Sequence, residues 1–397
     1  MAEEEGEEGQ QQHRLTPPDE PAEAAQQDYS WPMIRFDVPP QRAYHFHKQF
    51  GTDQKPNNFL KGVKWSPDGT CLLSSSEDNT LRVLALPEYG GDDSANASSS
   101  NHGSQGILWS FRISVYSFAA NLVVTEGESV YDFCWYPLTY PLSCVFASTT
   151  RDHPIHVWDA TTGQLCCTYR ADDDVDEITA AFSIAFNPAG NKIFAGYNKS
   201  IRVFDVHRPG RDFESHSTLQ GNKEGQTGII SAIAFSPTHT VMLATGSYCQ
   251  TTAIYREDNM ELLYVLRGQQ GGVTHVLFSK DGNYLYTGGR KDPFIMCWDV
   301  RKAVDVVHKW SIRIYFDVEP LGRHLGTGGQ DGLVHIYDLQ TRQWVSGFYA
   351  ASNTVNGFSF HPFLDENCVS IWGFAYDSTT NGIDSGDGGA DLDGASN

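Results

Sequence analysis

One pattern recurs at intervals of about 40–45 residues, and it limits the possible folds of this chain more than any other feature. An apolar strand ends on an aromatic residue and a turn such as Trp65-Ser-Pro or Phe278-Ser-Lys-Asp-Gly. A second strand rich in Ala, Gly and Ser follows, then a turn, then a strand closing on an aromatic residue or Leu. The first aromatic falls at Trp65, Trp135, Phe186, Phe235, Phe278, Phe316 and Phe360. The closing position falls at Leu84, Trp158, Phe204, Tyr255, Trp298, Tyr337 and Trp372, and Trp158-Asp159 and Trp298-Asp299 form intact WD dipeptides. Such a unit is a four-stranded sheet that can bury its faces only against its neighbours. The expected fold is therefore all-β, a seven-bladed WD-repeat β-propeller.

The spacing within units locates departures from the pattern. The first six run 19, 23, 18, 20, 20 and 21 residues from first aromatic to closing position, but Phe360 to Trp372 spans 12. About eight residues, one strand and its turn, are missing, so blade seven is expected to be incomplete. Trp298 to Phe316 spans only 18, which predicts a cramped outer strand for blade five near VVHKW. Between Leu84 and Trp135 lies an insert, about 87–125, whose GGDDSANASSSNHGSQG stretch has the composition of a flexible linker. The segment AYHFHKQF at 43–50 is the best candidate for a strand closing the ring from the N-terminal side. The resulting division is an acidic disordered tail (1–30), the propeller (31–375) and a second acidic, Gly/Asp-rich tail (376–397).

The net charge of −21 argues against a nucleic-acid partner until its distribution is considered. Residues 1–30 carry −8 and residues 376–397 carry −5, leaving −8 for the rest of the chain. The eight cysteines form no CxxC pair, and MAEEEGEEGQ has neither a basic nor an apolar leader segment, so a reduced nuclear or cytosolic setting is expected. Cys166 and Cys167 lie on a strand pattern and read as structural thiols. The most apolar window, 107–124, contains Arg112, Asn121 and three Ser, which predicts no membrane span.

No catalytic set assembles. His153, His156 and Asp159 are close in sequence, but alternate strand residues diverge and no further ligand lies nearby, so no metal site is expected. GTGGQDG lacks the Lys and Ser/Thr of a phosphate loop, and DSGDGG lies in the C-terminal tail with no strand to hold a nucleophile. No cofactor is implied.

Binding remains. In a propeller the turns joining second and third strands emerge on one face, together with the crossings into each next blade. Those turns read SSEDN, TTRDHP, GYNKS, SYCQT, GGRKDP and GGQDG, and they hold Arg151, Lys199, Arg290, Lys291, Tyr197 and Tyr248. The crossings add Arg267, with Lys223, Gln226 and His275 as further candidates. Cations that follow phosphates, rings that stack on bases and polar groups that read base edges are what single-stranded RNA requires. Turns are also polar for solvation alone, so a scaffold that binds only proteins stays open as the alternative.

Several stretches carry more than a generic repeat. NFLKGVKWSPDGTCLLSSSEDNTLRV, EGESVYDFCWYP, RDHPIHVWDATTGQL, SIAFNPAGNKIFAGYNKSIRVFDVHRPGRD, QTGIISAIAFSP and GGVTHVLFSKDGNYLYTGGRKDPFIMCWDVR resemble the telomerase Cajal body protein 1 family, from about Asn58 to about Trp372. The resemblance implies a non-enzymatic nuclear protein that recognises the CAB-box loop of small Cajal body RNAs and brings those particles to Cajal bodies. In many eukaryotes telomerase RNA is also a client. The implied partners are box H/ACA particles with dyskerin, and coilin or similar body components; a monomer with no membrane association is expected. The family's blade seven is complete and its link into blade six longer, whereas residues 107–121 look added here.

Overall fold

The structure is a computed structural model that describes Phe36 and residues 58–85, 120–138, 144–172, 177–220, 224–238, 241–302, 306–311, 315–351, 354–363 and 371–374. The two tails, the 43–50 segment and Lys223 lie outside the described residues. Blade one is β1 (Leu60–Trp65), β2 (Cys71–Ser76), β3 (Thr80–Ala85) and β4 (Leu122–Thr125). Blade two is β5 (Val130–Trp135), β6 (Val145–Thr150), β7 (Ile155–Asp159) and β8 (Leu165–Tyr169). Blade three is β9 (Ser183–Phe186), β10 (Lys192–Gly196), β11 (Ser200–Asp205) and β12 (Glu214–Ser217); a short hairpin, β13 (Leu219–Gln220) and β14 (Glu224–Gly225), follows it. Blade four is β15 (Ile230–Phe235), β16 (Met242–Ser247), β17 (Thr251–Arg256) and β18 (Leu262–Arg267). Blade five is β19 (Val273–Phe278), β20 (Tyr284–Gly289), β21 (Phe294–Asp299) and β22 (Val306–Ser311). Blade six is β23 (Phe316–Val318), β24 (His324–Gly328), β25 (Leu333–Asp338) and β26 (Trp344–Tyr349). Among the described residues the seventh sheet has two strands, β27 (Gly357–Phe360) and β28 (Ile371–Phe374), and the strands within each sheet pair antiparallel.

The second strands are the most buried because they have blades on both faces and strands on both edges. Leu72 to Ser76 and Leu243 to Ser247 are buried throughout, and small residues such as Ala147, Ala195 and Ala244 let adjacent sheets approach. The closing residues sit where the repeat places them: Leu84 pairs with Leu72, Trp158 with Phe146, Phe204 with Ile193, Tyr255 with Leu243, Trp298 with Leu285 and Tyr337 with Leu325.

Polar ties join neighbouring blades at every junction. Lys64 Nζ lies 3.1 Å from Asp132 Oδ1 between blades one and two, and Asp132 Oδ2 accepts from Ile184 N at 3.0 Å between two and three. Ser183 Oγ donates to Ile230 O at 2.9 Å, and Ser231 Oγ donates to Val273 O. His275 Nε2 meets Phe316 O at 3.0 Å, and Asp317 Oδ2 accepts from Ser359 Oγ and Phe360 N at 3.0 and 2.9 Å. His361 Nε2 meets Gly69 O at 3.0 Å and its ring lies 4.7 Å from Trp65, which closes the ring between blades seven and one. Phe36, 5 % exposed, adds cover at His324 and Phe360.

Three expectations change. Trp372 is not a closing residue: it pairs with Ser359 on the second strand of blade seven, next to the inner strand, because the unit is too short to place it one strand further out. In blade six the end of the inner strand is Val318, paired with Leu325, and Phe316 lies two residues earlier. The shortage read between Trp298 and Phe316 therefore falls on β23, which has three residues, while β22 keeps six and pairs along β21. Lastly, residues 122–125 of the expected insert form the outer strand of blade one, paired to β3. With one paired strand each among the described residues, β27 and β28 are expected to show faster amide exchange than β16 or β20, measured by mass spectrometry. Equal protection in these strands would contradict that ordering.

Candidate nucleic-acid interface

The six turns between second and third strands have one backbone feature in common. Each holds one left-handed residue, namely Asn79, Asp152, Lys199, Gln250, Lys291 and Gly332, with φ between 56° and 78°. Asn, Asp and Gly tolerate this region; Lys does so only at a steric cost to its Cβ. Lys199 and Lys291 thus sit where backbone preference alone would favour glycine or asparagine.

Three of these turns are joined side by side through glycines. Lys199 N donates to Gly228 O at 3.0 Å, and a Cβ on Gly228 would lie 3.1 Å from Cys249 N in the next blade's turn. Arg290 N donates to Gly272 O at 2.7 Å, and a Cβ on Gly272 would lie 3.0 Å from the Tyr248 Cα. Gly271 admits no side chain at all, since its Cβ would come within 1.8 Å of Arg290 O. Lys199, Tyr248, Arg290 and Lys291 consequently form a contiguous arc over blades three to five. Tyr248 is 45 % exposed, Lys199, Arg290 and Lys291 are exposed, and among the described residues none of the three cations has a side-chain partner. Asp292 does not neutralise Arg290. It is 2 % exposed, and its carboxylate accepts from Gln270 N at 2.6 Å and Phe294 N at 3.0 Å. Arg267, exposed at the end of β18, lies on the same side of blade four.

The other expected contacts are placed differently. Arg151 is exposed in the blade-two turn but its Nε lies 3.3 Å from Asp152 Oδ2. Tyr197 is 2 % exposed and has no surface to offer a base; its ring is drawn over the Arg202 guanidinium, 4.6 Å away, and into the core. His275 lies within β19 as the tie between blades five and six, not in the crossing before it. Burial, with the Lys64 charge, lowers its pKa to about 3, so the neutral ring donates to Phe316 O. Gln226 is fully buried, its amide donating to Thr245 O and Thr251 O. The RPGRD stretch proves to be a strap: Gly210 N donates to Thr168 O and Arg170 N to Gly210 O, tying it to β8. His153 and His156 diverge, the first to Arg151 O and the second to Glu126.

Turn composition did not point to one exposed aromatic on this face. Tyr131, 40 % exposed at the start of β5, stacks on Phe182 with centroids 5.4 Å apart and planes 16° apart. Its signal was the Tyr in VYDFCW, an outward position on a strand otherwise read as core.

The face is polarised. In blade one Glu77 pairs with Lys61 at 2.7 Å and Asp78 with Arg82 at 2.7 Å, and in blade six Asp331 pairs with His335 at 3.0 Å. Open positive charge is concentrated over blades three to five, as a phosphate-bearing ligand requires.

The WD domain, G-beta repeat family matches residues 51–83, 213–256 and 260–299. The chain is 36 % identical over 392 residues to telomerase Cajal body protein 1 of Rattus norvegicus, covering 94 % of this chain and 69 % of the relative. It is 38 % identical over 362 residues to the Homo sapiens protein of that name, covering 87 % and 62 %. The Drosophila melanogaster telomerase Cajal body protein 1 homolog is 31 % identical over 328 residues, covering 77 % and 55 %. The chain thus spans between about half and two thirds of the length of these relatives. It belongs to the telomerase Cajal body protein 1 family.

Proposed function

We propose that this protein is a non-enzymatic RNA-binding factor. Its second-to-third-strand turn face would hold the CAB-box loop of small Cajal body (box H/ACA) RNAs and so bring those ribonucleoproteins, telomerase among them where its RNA carries the loop, to Cajal bodies in the nucleus. The observation that carries the reading is the contiguous arc of Lys199, Tyr248, Arg290 and Lys291, open cations beside an open ring. The names of the relatives agree with it. The partners that follow are box H/ACA RNA, the dyskerin-containing particle and coilin-like body components.

Crosslinking the purified protein to small nuclear RNA and sequencing the bound species tests the client. For a hairpin carrying the CAB-box loop, three or four neutralised phosphates predict a slope of log affinity against log salt of roughly −2 to −3. A scaffold that meets RNA only through other proteins has no direct affinity to titrate, and that result would reject the reading.

A further inference from the structure

The inner strands begin in the same way around the channel. Gly62, Asp132, Ser183, Ala232 and His275 pair with Ser75, Thr149, Gly196, Gly246 and Gly288, which are equivalent residues of the second strands. The residue preceding each is therefore also equivalent: Lys61, Tyr131, Phe182, Ser231 and Thr274. In blades one, two, four and five that residue is the extra one of a β-bulge. Bulges re-aim a side chain away from the ladder, here toward the channel mouth on the face that carries the cationic arc.

Two of the five are already committed. Lys61 Nζ is held by Glu77 at 2.7 Å and Ser129 Oγ at 2.5 Å, and Ser231 Oγ donates to Val273 O. The adjacent pair Tyr131 and Phe182 has a different character. Their near-parallel rings make an offset stack in which half-buried Phe182 covers one side of Tyr131 and leaves the tyrosine 40 % exposed. A ring already braced loses little freedom on receiving another planar group. A purine or pyrimidine has that shape, and stacking accepts any base.

We propose that Tyr131, braced by Phe182, is the stacking platform for one unpaired RNA base at the channel mouth, with the arc of Lys199, Arg290 and Lys291 holding flanking phosphates. This rests on the RNA-binding reading above and adds to it a base-binding subsite supplied by a different blade.

The test uses the full chain and a CAB-box hairpin with 2-aminopurine at one loop position at a time. The parent protein should quench one position. Tyr131→Ala should abolish that quenching and weaken affinity on the order of tenfold, whereas Tyr131→Phe and Tyr131→Trp retain both. The salt slope should not change, because tyrosine carries no charge. Tyr131→Leu, which keeps an apolar contact with Phe182, provides the same comparison if the alanine variant folds poorly. Parent-like quenching and affinity in both variants would overturn the platform while the salt-dependent binding stands. An absence of RNA affinity in the parent would remove the RNA reading and the platform together.

Discussion

Replacing Glu126 by alanine is expected to cost about 3 kcal/mol of stability, the usual size for a buried polar cluster that loses its charged member. The side chain is 2 % exposed in the crossing between blades one and two. One carboxylate oxygen accepts from Ser148 Oγ and, at 3.2 Å, from Trp158 Nε1; the other lies 2.9 Å from His156 Nδ1. Alanine would take the acceptor from buried Ser148 Oγ and the carboxylate from His156 Nδ1, while Trp158 Nε1 keeps Ser148 Oγ at 2.9 Å. Burial alone would push the Glu126 carboxyl up, but the His156, Ser148 and Trp158 donors outweigh it and hold the pKa below the ordinary value of 4.5. A depressed folded pKa contributes stability that is present above the unfolded value and lost as pH falls through the folded one. The parent should therefore lose stability below about pH 4.5, and Glu126→Gln should flatten that part of the acid limb. The readout is the denaturant midpoint at unchanged m-value; a shift under about 1 kcal/mol for the alanine variant would contradict the assignment.

Glu126 also shows what the sequence conceals. The closing aromatics were legible because the pairing of second and third strands follows a fixed count, and six of seven closing positions hold. Blade six was misread by two residues because an aromatic letter, Phe316, stood in for the register that Val318 sets. Tyr197 and Tyr248 both stand two before a left-handed residue, yet one is buried and the other open. The difference comes from turn length: Gly196 and Gly246 are equivalent, so Tyr197 takes the place of buried Ser247 and Tyr248 lies one residue further into its turn. Arg202, three residues after Lys199, offers its guanidinium to the Tyr197 ring, whereas Ala253 stands at that place in blade four. A side chain's direction here is set by its place in the strand register, which turn composition does not display. Glu126 and Tyr131 belong to a crossing and an inner strand, where the meaning of a residue depends on which blade it meets.

Changing Arg290 and Lys291 together to alanine should leave stability within about 0.5 kcal/mol, because both side chains are exposed and partnerless among the described residues. Lysine and alanine both carry a Cβ at φ 61°, so the backbone strain of that position is unchanged by the substitution. Lys291→Gly separates the two roles, since glycine accepts the left-handed turn without strain and should raise stability by up to about 1 kcal/mol. RNA binding should move the opposite way. Losing one or two phosphate contacts should make the salt slope for the CAB-box hairpin shallower by about 0.7 per contact, and losing a base-stacking guanidinium would cost about 1–3 kcal/mol more. Gly288 and Gly289 before the pair, and the buried Asp292 holding Gln270 N and Phe294 N after it, keep the turn in place when the two side chains are cut back. An affinity loss in the double variant would thus be a lost contact and not a displaced loop. Unchanged melting with unchanged affinity and salt slope would remove blade five from the site and leave Lys199 and Tyr248 as the part of the arc to be tested.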